Sequence, residues 1–142
     1  MNKIYLLDTN IVSEFSKKRP NQNVIALYEA RKNMCAISAV TWQELTYGVS
    51  KMPEGNRKDS ISAFTEDLKN NFEIIPYDEF SANICGQLLG TCEKCGKILP
   101  YGDTQIAATA IANGMVLVTR NGSDFSEATE RSFLRVEDWF SA

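Results

Sequence analysis

Short apolar runs alternate along this chain with longer stretches of helical period, and that alternation leaves few folds open. Lys3-Ile4-Tyr5-Leu6-Leu7, Met34-Cys35-Ala36-Ile37, Phe72-Glu73-Ile74-Ile75 and Met115-Val116-Leu117-Val118 are each too short for a helix and contain no Gly or Pro. Such runs suit strands buried on both faces. Asp8-Thr9-Asn10 offers cap formers before Ile11 and Val12, Pro20 closes this first helix, and a second spans Asn21 to Asn33. Ser38 to Met52, stopped by Pro53 and Gly55, reads as a third helix, and Arg57 to Asn71 as a fourth. Over Asp78 to Cys92, Phe80, Ile84, Leu88 and Cys92 recur at every fourth position as an amphipathic stripe. Asp103 opens an Ala-rich helix, Thr104 to Asn113, with Gly114 in the place where left-handed glycines close helices. Lys94 to Gly102 and Thr119 to Phe125 read as loops, and Phe133 to Val136 as a final edge strand. Strands separated by helices predict an α/β fold, a central parallel sheet flanked by helices on both faces. No linker, repeat or low-complexity segment divides the chain, so residues 1–142 are expected to form one domain.

Composition narrows the chemistry. The chain has no histidine, which excludes Ser-His-Asp and Cys-His nucleophile systems, His-ligated zinc and an imidazole general base. Acid–base or metal chemistry must therefore rest on the 18 Asp and Glu residues or the four Cys. Four cysteines are too few for a disulfide scaffold, and no apolar run approaches the roughly 18 residues a membrane span needs. A cytoplasmic protein is the expectation. The net charge of −3 conceals an asymmetry: residues 1–58 hold nine Lys/Arg against five Asp/Glu, a net of +4, and residues 59–142 six against thirteen, a net of −7. Contact with nucleic acid would have to use a local basic surface, for which Lys17-Lys18-Arg19 and Lys51, Arg57 and Lys58 are candidates.

In open α/β sheets ligands bind beyond the carboxyl ends of the strands. Four acids fall there. Asp8 follows the first strand, Glu44 lies early in the helix after the second, Asp103 opens the Ala-rich helix, and Asp124 sits in the loop after the strongest strand. Each also fits a structural role: Asp8 and Asp103 as helix N-caps, Thr41-x-x-Glu44 as a capping box, Asp124 as the cap of a short turn. Together they weigh differently, because clustered carboxylates repel one another unless a cation neutralises them. An all-oxygen donor set without His or Cys suits Mg²⁺ or Mn²⁺.

The residues around these acids resemble a known family. Leu6-Leu7-Asp8-Thr9-Asn10, Gln43-Glu44-Leu45 with Gly48, Gly102-Asp103-Thr104-Gln105-Ile106-Ala107-Ala108-Thr109-Ala110, Val118-Thr119-Arg120-Asn121 with Asp124-Phe125, and the ending Leu134-Arg135-Val136-Glu137-Asp138-Trp139 resemble PIN-domain ribonucleases, especially VapC toxins of bacterial toxin–antitoxin pairs. The likeness runs in order from residue 4 to residue 139. It implies a PIN-like nuclease domain and a Mg²⁺- or Mn²⁺-dependent endoribonuclease that hydrolyses RNA by in-line attack of an activated water. Asp8 and Asp103 would be the principal metal ligands, Glu44 would complete the set or orient the water, and Asp124 would be the fourth acid. Thr9, Ser38 and Thr119 would supply hydroxyls that orient those ligands. Asn121 is a departure, since many PIN domains carry an acid there. The resemblance further implies a VapB-like antitoxin that fills the acidic pocket with a basic side chain, and a homodimer.

Other readings are weaker. Cys92-x-x-Cys95 has half of a zinc-ribbon spacing, but only Cys35 and Cys85 remain to complete it. The pair also falls at a helix end, where the dipole disfavours a reactive thiolate. A phosphoacceptor domain built on Asp8 would need a second acid beside it and a Lys after a later strand, where Thr9-Asn10 and Thr119-Arg120 stand. A catalytically silent PIN-like scaffold that binds RNA or protein is the alternative. Tyr47, Trp42 and Tyr101 lie near the acids in sequence, where they could stack on a base or simply pack in a core or interface.

Overall fold

Five parallel strands run through the computed structural model, which describes residues 2–141; residues 1 and 142, the ends of the expected 1–142 domain, lie outside the described residues. The strands are β1 (Tyr5–Leu7), β2 (Cys35–Ser38), β3 (Glu73–Ile75), β4 (Val116–Val118) and β5 (Arg135–Glu137), in the order β3-β2-β1-β4-β5. Leu6 pairs with Ala36 on one side and Leu117 on the other, so β1 lies at the centre. The chain builds outward from β1 through β2 to β3, then returns to the opposite side of β1 for β4 and β5. The order therefore reverses between β1 and β4, and in such sheets the crevice beyond that point is where ligands bind.

Seven α-helices connect the strands: α1 (Thr9–Glu14), α2 (Gln22–Arg31), α3 (Ala39–Ser50), α4 (Asn56–Asn71), α5 (Glu79–Lys94), α6 (Tyr101–Ala112) and α7 (Ser126–Arg131). Tight 3₁₀ turns cover Lys32–Met34 and Gly122–Phe125. Successive strand residues point to opposite faces, so the apolar runs feed two cores. Leu6, Ala36 and Leu117 pack with Leu88, Ile106, Ala107 and Ala110 of α5 and α6. Leu7, Cys35, Ile37 and Val118 pack with Ile11, Val12, Val24, Leu68, Phe72 and Trp139. Helices cover both faces, as the unbroken apolar strands require.

Gly114 closes α6 as expected. At φ +64° it lets its own amide reach Ile111 O at 3.2 Å, while the Met115 amide reaches Ala110 O at 2.9 Å. Those are the paired bonds of a Schellman ending, which steer the chain directly into β4.

Several expected boundaries move. The Asp78–Cys92 stripe is correct as a helix and wrong at its start: Phe80 is 73% exposed, whereas Ser81, Cys85, Leu88 and Cys92 are buried. A strict four-residue repeat drifts about 40° per step against a 3.6-residue helix, so Phe80 leaves the buried face that the 4-3-4 spacing from Ser81 keeps. The Lys94–Gly102 loop is shorter, because α6 begins at Tyr101 with Pro100 at its cap. α7 was not anticipated; Glu127 and Arg131 pair one turn apart along it at 3.1 Å. The last strand is β5, and Phe133 before it is 95% exposed. Among the described residues no helix is long and apolar enough to cross a membrane.

Candidate active site

Asp8 leaves β1 where the sheet order reverses, and two ties hold it. Its Oδ1 accepts the Thr9 amide at 2.8 Å, which makes it the N-cap of α1. Its Oδ2 accepts the Thr119 hydroxyl, also at 2.8 Å, from the residue directly after β4. The capping role and the site role are thus met by one carboxylate. Asp8 is only 6% exposed, and burial pushes its pKa up; the Thr119 and Thr9 hydrogen bonds pull it down, and the charges of Glu44 and Asp124 push it up again.

Glu44 is not part of a capping box. Ser38, at the end of β2, caps α3 by accepting the Thr41 amide at 2.9 Å, which moves Glu44 to the second turn. There it accepts the Thr9 hydroxyl on Oε1. The Thr41 hydroxyl stands 3.4 Å from Thr9, so residues from the ends of β1 and β2 meet. The other carboxylate oxygen, Oε2, lies against Gly102; a Cβ there would come to 3.3 Å, tighter than ordinary packing allows. The glycine leaves that space for Glu44.

Asp103 is also not a cap. Pro100 holds that position, and Asp103 stands third in α6, half-buried, in the first turn where the helix dipole favours an anion. Burial first, then the charges of Asp8 and Asp124, push its pKa up. Asp124 is exposed in the turn after β4, its amide bonded to Asn121 O at 2.9 Å. The four acids therefore share one electrostatic neighbourhood.

The expected hydroxyls divide. Thr9 and Thr119 touch Glu44 and Asp8 directly, whereas Ser38 serves the α3 cap. Asn121 contributes its backbone amide, which donates to Thr119 Oγ1 at 3.2 Å. Three contacts escaped the sequence reading. Thr41 joins Thr9, and Asn10 reaches the end of β4: its Nδ2 donates to Thr119 Oγ1 and its Oδ1 accepts the Arg120 amide, each at 3.2 Å. The only signal for Asn10 was its place beside Asp8-Thr9 at a strand end.

The four acids offer only oxygen donors, and the charges that shift Asp8 and Asp103 are those of other acids, with no Lys or Arg among the causes. That donor chemistry fits a hard divalent cation. Among the described residues no three acidic or Cys side chains are gathered at coordinating separation, so the four acids do not form a closed cage. Around them, Lys17 and Arg57, one from each basic cluster, line a single groove with Thr9, Glu44 and Leu45. Tyr47 and Tyr101 are 64% and 70% exposed, and the Lys51 ammonium stands 4.8 Å from the Tyr47 ring centre. Trp42, beneath Lys69 at 4.7 Å, shares a shallow concavity with Glu44 and Tyr47. Cys35, by contrast, is fully buried in β2, and burial pushes its thiol up to about 12.

Comparison with known proteins agrees with this fold. The PIN domain model matches residues 5–130. The chain is 34% identical over 135 residues to Ribonuclease VapC2 of Haemophilus influenzae, covering 95% of this chain and 97% of that one. It is 31% identical over 137 residues to a tRNA(fMet)-specific endonuclease VapC of Shigella flexneri, covering 95% and 97%. Its fold is similar to the crystal structure of VapBC2 from Rickettsia felis bound to a promoter DNA fragment, with TM-score 0.81, 30% identity and coverage of 96% and 98%. The chain belongs to the PIN domain family, among the VapC ribonucleases.

Proposed function

We propose that this protein is a divalent-metal-dependent endoribonuclease of toxin type, with Asp8, Glu44, Asp103 and Asp124 as its acidic site. What supports the reading is the place of Asp8 at the sheet's reversal point, within reach of the charges of Glu44 and Asp124, and of Asp103 within reach of those of Asp8 and Asp124, which with burial raise both pKa values. Keeping such groups ionised at neutral pH costs stability, which is tolerated where a cation uses them. Asp8 and Asp103 would hold the ion, Mg²⁺ or Mn²⁺, with Glu44 and Asp124 completing its surroundings. Such an ion lowers the pKa of water and neutralises charge on a phosphodiester.

The chain's own groups supply position. Thr9 and Thr119 fix one oxygen of Glu44 and one of Asp8. Glu44 Oε2, opposite Gly102, is left to orient the attacking water and accept its proton. Lys17 and Arg57 would meet the RNA backbone along their groove, and the exposed Tyr47 and Tyr101 rings would stack on bases beside the cleavage point. The Shigella flexneri relative's name makes tRNA the first RNA to try.

A VapB-like antitoxin is the expected partner, since the Rickettsia felis neighbour was solved as a toxin–antitoxin complex. A basic side chain of that partner in the acidic pocket would replace the cation's charge. Cytoplasmic location and a homodimer complete the proposal. The test is expression of wild type and Asp8→Asn in cells, with growth recorded and RNA 5′ ends sequenced. Wild type should arrest growth and create discrete new 5′ ends, both absent in Asp8→Asn and relieved by the co-expressed antitoxin. Identical RNA ends in the two strains would leave the silent-scaffold reading in its place.

A further inference from the structure

We propose that Asn10, which is not one of the acids, is a positioning residue for Asp8 and acts through Thr119. The argument begins with the hydroxyl. Thr119 Oγ has one proton to give and two lone pairs to receive with. Three groups surround it: Asn10 Nδ2 and the Asn121 amide, each at 3.2 Å, and Asp8 Oδ2 at 2.8 Å. The two nitrogens can only donate, so they occupy the lone pairs, and the proton is left for Asp8. The orientation of the Asn10 amide is settled the same way. The Arg120 amide is a donor and lies 3.2 Å from Oδ1, so the other end of the side chain, Nδ2, must face Thr119.

Asn10 therefore spans the sheet's reversal point with two bonds. It sits in the first turn of α1, directly after β1, and grips residues 119 and 120 directly after β4. Thr119 is fully buried, so no water competes for its hydroxyl. Without Asn10 the segment 119–120 loses its side-chain tie to α1, and the hydroxyl loses one of the donors that aims it. Asp8 would keep its bond to the Thr9 amide, while its partner on Oδ2, the Thr119 hydroxyl, would be aimed by the Asn121 amide alone. Partners that orient a metal-ligating group are typically worth about 10–100-fold in metal affinity or activity.

This inference rests on the proposed metal site, and the experiment separates the two. Mn²⁺ binding without RNA is measured by calorimetry for wild type, Asn10→Ala, Thr119→Val, Thr119→Ser and the double variant Asn10→Ala/Thr119→Val, with the thermal melt and kcat and KM on RNA recorded for each. Asn10→Ala and Thr119→Val should each weaken Mn²⁺ binding by about 10-fold or more and lower kcat with little change in KM. Thr119→Ser, which keeps the hydroxyl, should stay within about 3-fold of wild type. The double variant should bind no worse than about 2-fold below Thr119→Val, because Asn10 acts through that hydroxyl. If Asn10→Ala does not fold, Asn10→Asp takes its place. It keeps the acceptor for the Arg120 amide and removes the donor, and although its added charge alone would tighten Mn²⁺ binding, weaker binding is expected. Wild-type affinity in folded Asn10→Ala, tighter binding by Asn10→Asp, or fully multiplicative losses in the double variant would overturn the assignment. A wild type that neither binds Mn²⁺ nor cuts RNA would overturn the proposed function and this inference with it.

Discussion

Replacing Asp103 with Asn should make the metal-free protein more stable while removing its activity. The Asp103 carboxylate is half-buried, and its pKa is raised by burial and by the charges of Asp8 and Asp124. A carboxyl raised in the folded state binds its proton more tightly there than in the unfolded chain, where the value is about 3.9. Its destabilising effect is therefore absent below the unfolded value, grows as pH rises from there through the folded one, and is complete above it. Asn has nearly the same shape and no charge, so it removes this cost. Against that stands the anion's favourable place in the first turn of α6, about 0.3–1 kcal/mol. Relief of a single unfavourable charge commonly gives about 0.5–2 kcal/mol. A net gain of roughly 1 kcal/mol would raise the melting temperature of a chain this size by about 3–5 °C. Saturating Mn²⁺ should reverse the order, because ligand at 100 times its Kd adds about 2.7 kcal/mol to a protein that binds it. The assay is a thermal melt of both proteins at neutral pH, in EDTA and in excess Mn²⁺, repeated in steps down to the unfolded carboxyl value of about 3.9. The EDTA difference should shrink as pH falls through the folded pKa toward the unfolded value. A less stable Asp103→Asn in EDTA, or equal stabilisation of both by Mn²⁺, would refute the reasoning.

Three further outcomes follow from particular contacts. Gly102→Ala places a methyl 3.3 Å from Glu44 Oε2, so kcat should fall by about 3–10-fold with a nearly unchanged melt, as a small displacement of a reacting group requires; steady-state kinetics on RNA checks this. Phe80→Ser should change unfolding free energy by less than about 0.5 kcal/mol, because the ring is exposed, whereas Leu88→Ala on the buried face should cost about 2–5 kcal/mol in urea denaturation. Arg31 stacks 4.9 Å from the Tyr5 ring centre and 5.6 Å from that of Trp139, and bonds Glu137 at 3.2 Å. Arg31→Ala should destabilise the C-terminal strand by about 1–2 kcal/mol, seen as a lower urea midpoint in the fluorescence of the buried Trp139.

The centre of the sheet was legible because its strands are buried on both faces, so β4 appears as the unbroken apolar run Val116-Leu117-Val118, whereas the edge strand β5 carries Arg135 and Glu137. Helix phase was legible only where spacing averages 3.6, which is why Phe80 was misassigned. The acids were legible as strand-end residues, but their local roles were not. Ser38 outcompetes Thr41 for the α3 cap because it stands where β2 ends. Pro100, with a fixed φ and an extended ψ, starts α6 earlier than Gly102 suggests. The contacts of Asn10 and Thr41 could not be read, since their partners lie 109 and 32 residues away in the chain and only the fold brings them together.

The central claim is that these carboxylates cut RNA through a divalent cation. It is tested most directly by incubating purified wild type, Asp103→Asn and Glu44→Gln with an end-labelled tRNA, in Mg²⁺ or Mn²⁺ and in EDTA. Wild type should cut at discrete positions only with the cation. Both variants should lose at least about 100-fold in rate, with melts showing them folded. Cleavage that persists in EDTA, or wild-type rates from either variant, would contradict the account.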